Sequence, residues 1–144
     1  MTNPVEQRQR DIIEEFALLP TWEERYDYLI EMGKGLPPLP ERFRTDDHIV
    51  KGCQSRVWLG SELQDGRVNY YADSDALIVK GLIALLLHIF SGQRPEDILG
   101  ARVFFMEEMG FDKFLSMTRA NGLMAMIKQI RMDAMAHKKT AHEH

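Results

Sequence analysis

Cysteine is nearly absent from this chain, whose 144 residues include only Cys53. A single thiol cannot form a disulfide within the chain, and it cannot supply the several thiolates that zinc sites and iron–sulfur clusters take as ligands. What remains open is the chemistry of one sulfur atom, which can attack, carry or hand on a group. The alternative is a small buried side chain, as most free cysteines are, and composition alone favours this inert interpretation.

The sequence also lacks a long apolar segment, a basic excess and an export signal. The longest apolar stretch, residues 76–90, is shorter than the roughly 20 residues that span a bilayer, and Lys80 and His88 interrupt it. The net charge is −4, so we expect neither nucleic acid nor a membrane as partner. Residues 1–7 contain no basic segment followed by an apolar run, which predicts no signal peptide and, with one cysteine, a cytoplasmic protein.

The remaining composition is that of an ordinary globular protein, with 44% hydrophobic and 28% charged residues. This length predicts one domain over residues 1–144, with the first few residues and about 137–144 frayed. His88 has no cluster of further metal ligands at a suitable spacing, so we expect no metal site and no cofactor.

Four longer helices are indicated by apolar periodicity and by capping residues, and Pro95-Glu96-Asp97 is expected to begin a further short one. The first covers residues 7–18, and the second follows Thr21, which begins a capping box with Glu24, and ends at Gly33 as a left-handed C-terminal glycine. The third is the core helix 76–90, for which Ser74 is the expected N-cap and Asp75 lies in the first turn. The last begins near Thr118, so its first turn holds Arg119, a cation at the positive end of the helix dipole.

A β-hairpin is predicted over about residues 55–73. Residues 57, 59, 61 and 63 alternate with their neighbours at the period of a half-buried strand, and Asp65-Gly66 is a pair suited to a tight turn. This turn sets the register, with Leu63 opposite Val68, Ser61 opposite Tyr70 and Leu59 opposite Ala72. We expect helices to cover the other face, which carries Trp58 and Tyr71. The predicted fold class is therefore α+β, a small antiparallel sheet packed against several helices, and no third strand is evident.

Cys53 is predicted to lie where an irregular loop enters this hairpin, a position at which functional side chains often have a rigid support. Gly52 removes bulk beside the thiol, and Lys51, Arg56 and His48 are cations or potential cations that would favour the thiolate.

Four blocks of sequence resemble the SufE family of cysteine desulfuration proteins, in the same order. The block around the cysteine reads GCQSRVW at 52–58, and the others are YLIEMG at 28–33 followed by Leu36-Pro37, DSDALIVKGLIA at 73–84 and TRANGL at 118–123. The resemblance covers residues 16–130. Several spaced blocks in order are much stronger evidence than one motif.

The resemblance implies a sulfur relay. Members of this family accept a sulfane sulfur from a pyridoxal-phosphate-dependent cysteine desulfurase (SufS/CsdA-like) and pass it toward an iron–sulfur scaffold. It further implies that Cys53 is the persulfide acceptor and that Gly52, Gln54 and Ser55 support it as parts of the matching block. Arg119 would steady the thiolate and Asp75 would anchor the loop. The implied fold is a SufE/IscU-like α+β domain.

Two other functions are compatible with the residues. Cys53 could be the nucleophile of a stand-alone thiol peroxidase or hydrolase assisted by His48, or the chain could be a binding module with an inert cysteine. A relay thiol also has to be protected from oxidants, so we expect the Cys53 sulfur to be partly buried in the free protein.

Overall fold

The computed structural model describes residues 2–143, which form seven α-helices, two short 3-10 turns and a two-stranded antiparallel sheet. The helices are α1 (Pro4–Ala17), α2 (Trp22–Lys34), α3 (Leu77–Phe90), α4 (Pro95–Gly100), α5 (Phe105–Glu108), α6 (Phe111–Phe114) and α7 (Met117–Glu143). The strands are β1 (Val57–Gln64) and β2 (Arg67–Ser74), and the 3-10 turns are Glu41–Phe43 and Asp46–His48. The fold is therefore a small α+β fold, as the sequence predicted.

The hairpin has the predicted register. Leu63 pairs with Val68, Ser61 with Tyr70 and Leu59 with Ala72. Both turn residues adopt positive φ angles, 54° at Asp65 and 77° at Gly66, as a two-residue turn between twisted strands requires. Beyond this pair, single bridges join Ile49 to Trp58 and Val68 to Gln93, so no third strand forms within residues 2–143.

The outer face of the hairpin is covered differently from our prediction. Among residues 2–143 no α-helix covers it; instead the first 3-10 turn places the Phe43 ring in a stack on Tyr71, with ring centroids 5.7 Å apart. The Phe43 ring also fills the space beside Gly60, where a side-chain Cβ would come within 2.2 Å of it. Next to it, the Arg44 guanidinium lies 4.8 Å from the centre of the Trp58 ring. The proline-rich connector before residue 41 therefore leads into a short lid on the sheet.

Helix α3 is the centre of the core and packs closely on α2. A Cβ on Gly81 would lie 2.3 Å from the Leu29 carbonyl oxygen, and a Cβ on Gly33 would lie 2.7 Å from the Gly81 nitrogen. Gly33 is thus an interior residue of α2 that permits a close helix crossing, and our prediction of a C-terminal left-handed glycine was wrong. The physical reason is that α2 continues to Lys34 and that Gly35, at φ −86°, follows its end.

Most other helix ends lie near their predicted positions. The Thr21 hydroxyl accepts a hydrogen bond from the Glu24 amide at 3.1 Å, as an N-cap should, whereas α1 begins earlier than predicted because Asn3 caps it. Residues 137–143, which we expected to fray, continue α7 as a regular helix. The His144 part of that prediction, like Met1, lies outside the described residues.

Candidate functional site around Cys53

The Cys53 loop is a short segment tied to the sheet at both of its ends. The Val50 amide donates to the Val57 carbonyl at 2.9 Å, which closes the loop where β1 begins. At its far end, the Ser74 hydroxyl donates to the Arg56 carbonyl at 2.8 Å. The loop is thus bonded to the hairpin at both of its ends, and Cys53 lies between these two fixed points.

Small residues allow the loop to lie directly on α7. Gly52 has a φ of 96°, which favours glycine, and a Cβ there would lie 3.2 Å from the Cβ of Ala125. A Cβ on Gly122 would lie 3.6 Å from the Cys53 sulfur. The thiol donates a hydrogen bond to the Gly122 carbonyl, with Sγ and O 3.5 Å apart. A Cβ at position 122 would therefore be in van der Waals contact with the sulfur.

The thiol faces a cavity of about 410 Å³. This cavity brings Cys53 together with three of the predicted supporting residues, Gln54, Ser55 and Arg119. Its other walls come from α3, α7 and the residue before α7, and they are Val79, Leu82, Ser116, Thr118 and Gly122. Gly52 lies outside the lining but shapes the loop through its backbone, and Asp75 is not part of the lining.

Burial, not charge, controls the acidity of the thiol. The Cys53 side chain is half-buried, and this desolvation raises the pKa of the thiol above its ordinary value. Lys51 and Arg56, which we expected to favour the thiolate, are both exposed, and burial is the cause of the shift. The partial burial agrees with the expectation that a relay sulfur is shielded in the free protein.

Ser74 and Asp75 have different surroundings from those we predicted. Helix α3 begins at Leu77 after Ala76, so Ser74 is not its N-cap and Asp75 is not in its first turn. Ser74 is buried and bonds the Arg56 carbonyl, whereas Asp75 is exposed. The Ser74 hydroxyl therefore makes the hydrogen bond that holds this end of the loop.

Arg119 lies in the first turn of α7, as predicted. The Ser116 hydroxyl accepts a hydrogen bond from the Arg119 amide at 3.2 Å, which caps this helix. Its side chain is exposed at the rim of the Cys53 cavity. Arg119 therefore lines the same cavity as the thiol.

His48 is not placed to assist Cys53. It lies in a second cavity, of about 280 Å³, between the second 3-10 turn, β1 and α7, together with Ser61, Asp133 and His137. Its Nδ1 is 2.9 Å from the Thr45 hydroxyl. Cys53 does not line that cavity, so the alternative of a His48-assisted nucleophile has no support in the geometry.

The sequence model of the SufE family, described as an Fe-S metabolism associated domain, matches residues 10–134. The chain belongs to the SufE family. This membership associates it with Fe–S metabolism.

Two SufE-like relatives have closely similar sequences. One, from Rhizobium meliloti (strain 1021), is 43% identical over 130 residues, which are 85% of this chain and 91% of the relative. The other, from Rhizobium etli (strain ATCC 51251 / DSM 11541 / JCM 21823 / NBRC 15573 / CFN 42), is 41% identical over 128 residues, 85% of this chain and 86% of the relative. Both are described as uncharacterized.

A solved structure has a similar fold, in agreement with the small α+β architecture. The solution structure of a hypothetical protein from Thermus thermophilus superposes with a TM-score of 0.76 at 25% identity, over 90% of this chain and 94% of that one. None of the helices in residues 2–143 has the length and apolarity to cross a membrane. In the same residues, no three His, Cys, Asp or Glu side chains are grouped so as to hold a metal ion.

Sequence reasoning missed two contacts of the candidate site. Gly122, whose carbonyl accepts the thiol hydrogen bond, lies in a matching block, but nothing in the sequence indicates contact with a residue 69 positions away. Ser74 was interpreted as a helix cap because a serine before an apolar run is typical of one. One sequence signal could have indicated the Gly122 contact. Gly122 is a glycine inside a predicted helix, and such a glycine often marks a place where another segment packs closely on the helix.

Proposed function

We propose that this protein is the sulfur acceptor and activator of a cysteine desulfurase, and that it passes the sulfur on for iron–sulfur cluster assembly. One observation carries the proposal: in a SufE-family chain, the only cysteine lies half-buried on a loop fixed to a rigid hairpin, facing a cavity. We place the reaction in the cytoplasm, where a lone thiol stays reduced.

The transfer is a thiol exchange in which atoms and electrons balance. The Cys53 thiolate attacks the outer sulfur of the desulfurase's cysteine persulfide, a new sulfur–sulfur bond forms on Cys53, and the desulfurase cysteine leaves as a thiolate. Cys53 then carries the terminal sulfur as Cys53–S–SH. A second exchange, in which a thiolate of the downstream scaffold attacks this terminal sulfur, releases Cys53 as a thiolate again. Neither step needs an external oxidant or reductant.

The surroundings of the thiol suit a carrier that reacts only with a partner. Burial keeps the thiol protonated and less reactive in the free protein, which limits oxidation. Docking of the desulfurase would move the loop away from Gly122 and expose the sulfur. Arg119, at the cavity rim, is the cation available to steady the thiolate once it forms.

Sulfur loading is tested with a purified cysteine desulfurase and radiolabelled cysteine. We expect label on the wild-type chain after electrophoresis without reductant, loss of that label with reductant, and no label on Cys53→Ser. The variant should keep its far-UV circular dichroism, because serine is close to cysteine in size. The same samples report whether the wild-type protein, and not Cys53→Ser, accelerates cysteine turnover.

Each contrary outcome has a definite meaning. Absence of label with every desulfurase of the source cell would overturn the acceptor role. Stimulation that survives in Cys53→Ser would contradict a covalent role for the thiol. Turnover of peroxide or ester by the protein alone would favour the stand-alone enzyme.

A further inference from the structure

In the described part of the chain, two side-chain hydrogen bonds hold the Cys53 loop, residues 51–56, against the body of the protein. One joins the Cys53 thiol to the Gly122 carbonyl, with Sγ and O 3.5 Å apart. The other joins the Ser74 hydroxyl to the Arg56 carbonyl at 2.8 Å. A thiol is a weak donor, whereas a hydroxyl-to-carbonyl bond of this length has ordinary strength. The Ser74 bond is therefore the stronger of the two.

The Ser74 hydroxyl is oriented by a second hydrogen bond. The Ala76 amide donates to the same oxygen at 3.3 Å, which leaves the single hydroxyl proton for the Arg56 carbonyl. Ser74 is only 5% exposed, so water has little access to this bond. A buried hydroxyl that loses its acceptor costs more free energy than an exposed one. Movement of the loop away from Ser74 therefore has a cost that this hydroxyl sets.

The backbone at Ser74 is fixed by its neighbours. The Asp73 carboxylate accepts a hydrogen bond from the Ser74 amide at 2.8 Å. The same carboxylate bonds the Arg44 guanidinium at 2.7 Å and lies 3.6 Å from the Lys80 ammonium. Ser74 is also paired with Val57 in the sheet. The hydroxyl therefore has a well-defined position from which to hold the loop.

The position of the loop also decides how far the sulfur is shielded. In the closed loop the thiol is half-buried, and this desolvation raises the pKa of Cys53 above its ordinary value. Arg56 follows Cys53 closely in the same short loop, so movement at Arg56 displaces the thiol as well. An open loop therefore presents a more exposed thiol with a larger fraction of thiolate.

We propose that Ser74 is a positioning residue for sulfur transfer, whose hydroxyl keeps the Cys53 loop closed until a partner binds. This inference rests on the proposed function, because the partner is the desulfurase. The open loop is a minor state of the free protein, and an enzyme that binds only the open state has an apparent affinity reduced by the open fraction. Breaking the Ser74–Arg56 bond is thus the step that releases the thiol.

Alkylation of the free protein tests whether Ser74 closes the loop. At one fixed pH, Ser74→Ala should react with iodoacetamide about two- to tenfold faster than the wild type, as expected for the loss of one hydrogen bond. The pH midpoint of its alkylation should also move toward that of the denatured chain. Ser91→Ala is the matched control, because the Ser91 hydroxyl also bonds β2, accepting from the Tyr70 amide at 2.9 Å, but away from the loop. It should keep the wild-type rate and midpoint.

Low concentrations of urea distinguish opening of the loop from unfolding of the protein. The alkylation rate of Ser74→Ala should depend only weakly on urea, because release of a short loop exposes little surface, whereas a rate set by global unfolding rises steeply. An unchanged rate in Ser74→Ala, an equal rise in Ser91→Ala, or a steep urea dependence in Ser74→Ala would overturn the proposal.

Sulfur loading by a purified cysteine desulfurase supplies the second readout. The concentration of Ser74→Ala that half-saturates loading from radiolabelled cysteine should be lower than that of the wild type, by the factor measured in alkylation. A half-saturating concentration that does not fall, although alkylation is faster, would overturn the role in transfer. If the wild-type chain takes up no sulfur, the proposed function fails, whereas the alkylation rates still decide whether Ser74 closes the loop.

Discussion

At the scale of single residues, burial of Cys53 governs how its sulfur reacts in the free protein. The thiol contacts Gly122 on α7, and the pKa is raised because the charged thiolate would lose hydration. Lys51 and Arg56 were expected to act in the opposite direction, but charges that point into water are screened and have little influence on a half-buried group. The sequence shows which charged residues are close to the thiol along the chain, but it does not show how far each of them is buried.

The raised pKa predicts a shifted pH profile for thiol alkylation. At a given alkaline pH the folded protein has a smaller fraction of thiolate than the denatured chain. The rate of Cys53 alkylation by iodoacetamide should therefore increase at a higher pH in the folded protein than in the denatured chain. The unfolded thiol loses its proton first, so the free energy of unfolding should fall as pH rises from the unfolded pKa to the folded one. Cys53→Ser should lack this additional fall. A folded thiol that titrates below its denatured counterpart would contradict the burial argument.

At the scale of elements, the crossing of α2 and α3 depends on two glycines that the sequence pattern did not explain. Gly33 was interpreted as a helix end because glycine commonly follows the last turn. The structure places it inside α2, against Gly81 of α3, because close packing of two backbones needs residues without a Cβ. Periodicity located both helices, but it contains no information about which helix lies against which.

Gly81→Ala is expected to destabilise the fold strongly. The new Cβ would lie 2.3 Å from the Leu29 carbonyl oxygen, and because that atom belongs to a helix backbone, α2 and α3 would have to separate. The expected loss is at least about 3 kcal/mol of unfolding free energy, measured by urea denaturation. Gly100→Ala is the control, since its Cβ would approach nothing closer than 4.0 Å, and it should change stability by at most about 1 kcal/mol. Equal effects of the two substitutions would refute the close crossing.

Local sequence patterns predicted the hairpin itself more accurately than they predicted the residues that cover it. The register followed from the alternation of strand residues and from Asp65-Gly66, which together leave one pairing that keeps the apolar face inward. The cover over Trp58 and Tyr71 depends on Phe43 and Arg44, which precede the hairpin by more than ten residues in an irregular segment. Irregular backbone has no periodic signal, so its packing was not predictable.

For the whole molecule, the candidate site is assembled from segments distant in the chain. The loop at Cys53, the end of β2 at Ser74, helix α3 and the start of α7 meet only after the core has formed. Three of the matching blocks cover all four segments, but the role of anchoring the loop was given to Asp75, whereas the hydrogen bond to the loop is made by the adjacent Ser74. Helix α7 contributes both to this site and to the core, with Leu123 and Ala134 fully buried. The site therefore cannot form without the body of the fold.

This dependence predicts one cooperative unfolding transition. Leu29→Ala in α2 and Leu123→Ala in α7 each remove a side chain that is 0% exposed, so each should lower the unfolding free energy by about 2–5 kcal/mol. Circular dichroism reports mainly the helices, and fluorescence reports Trp22 and Trp58; the two signals should change together in both variants. Leu18→Ala, at an exposed position, should stay within about 0.5 kcal/mol of the wild type. Early loss of helix signal in Leu123→Ala, before the tryptophan signal changes, would mean that α7 detaches alone. The Cys53 cavity would then lose one wall in a partly folded protein, and the thiol would be exposed without any partner.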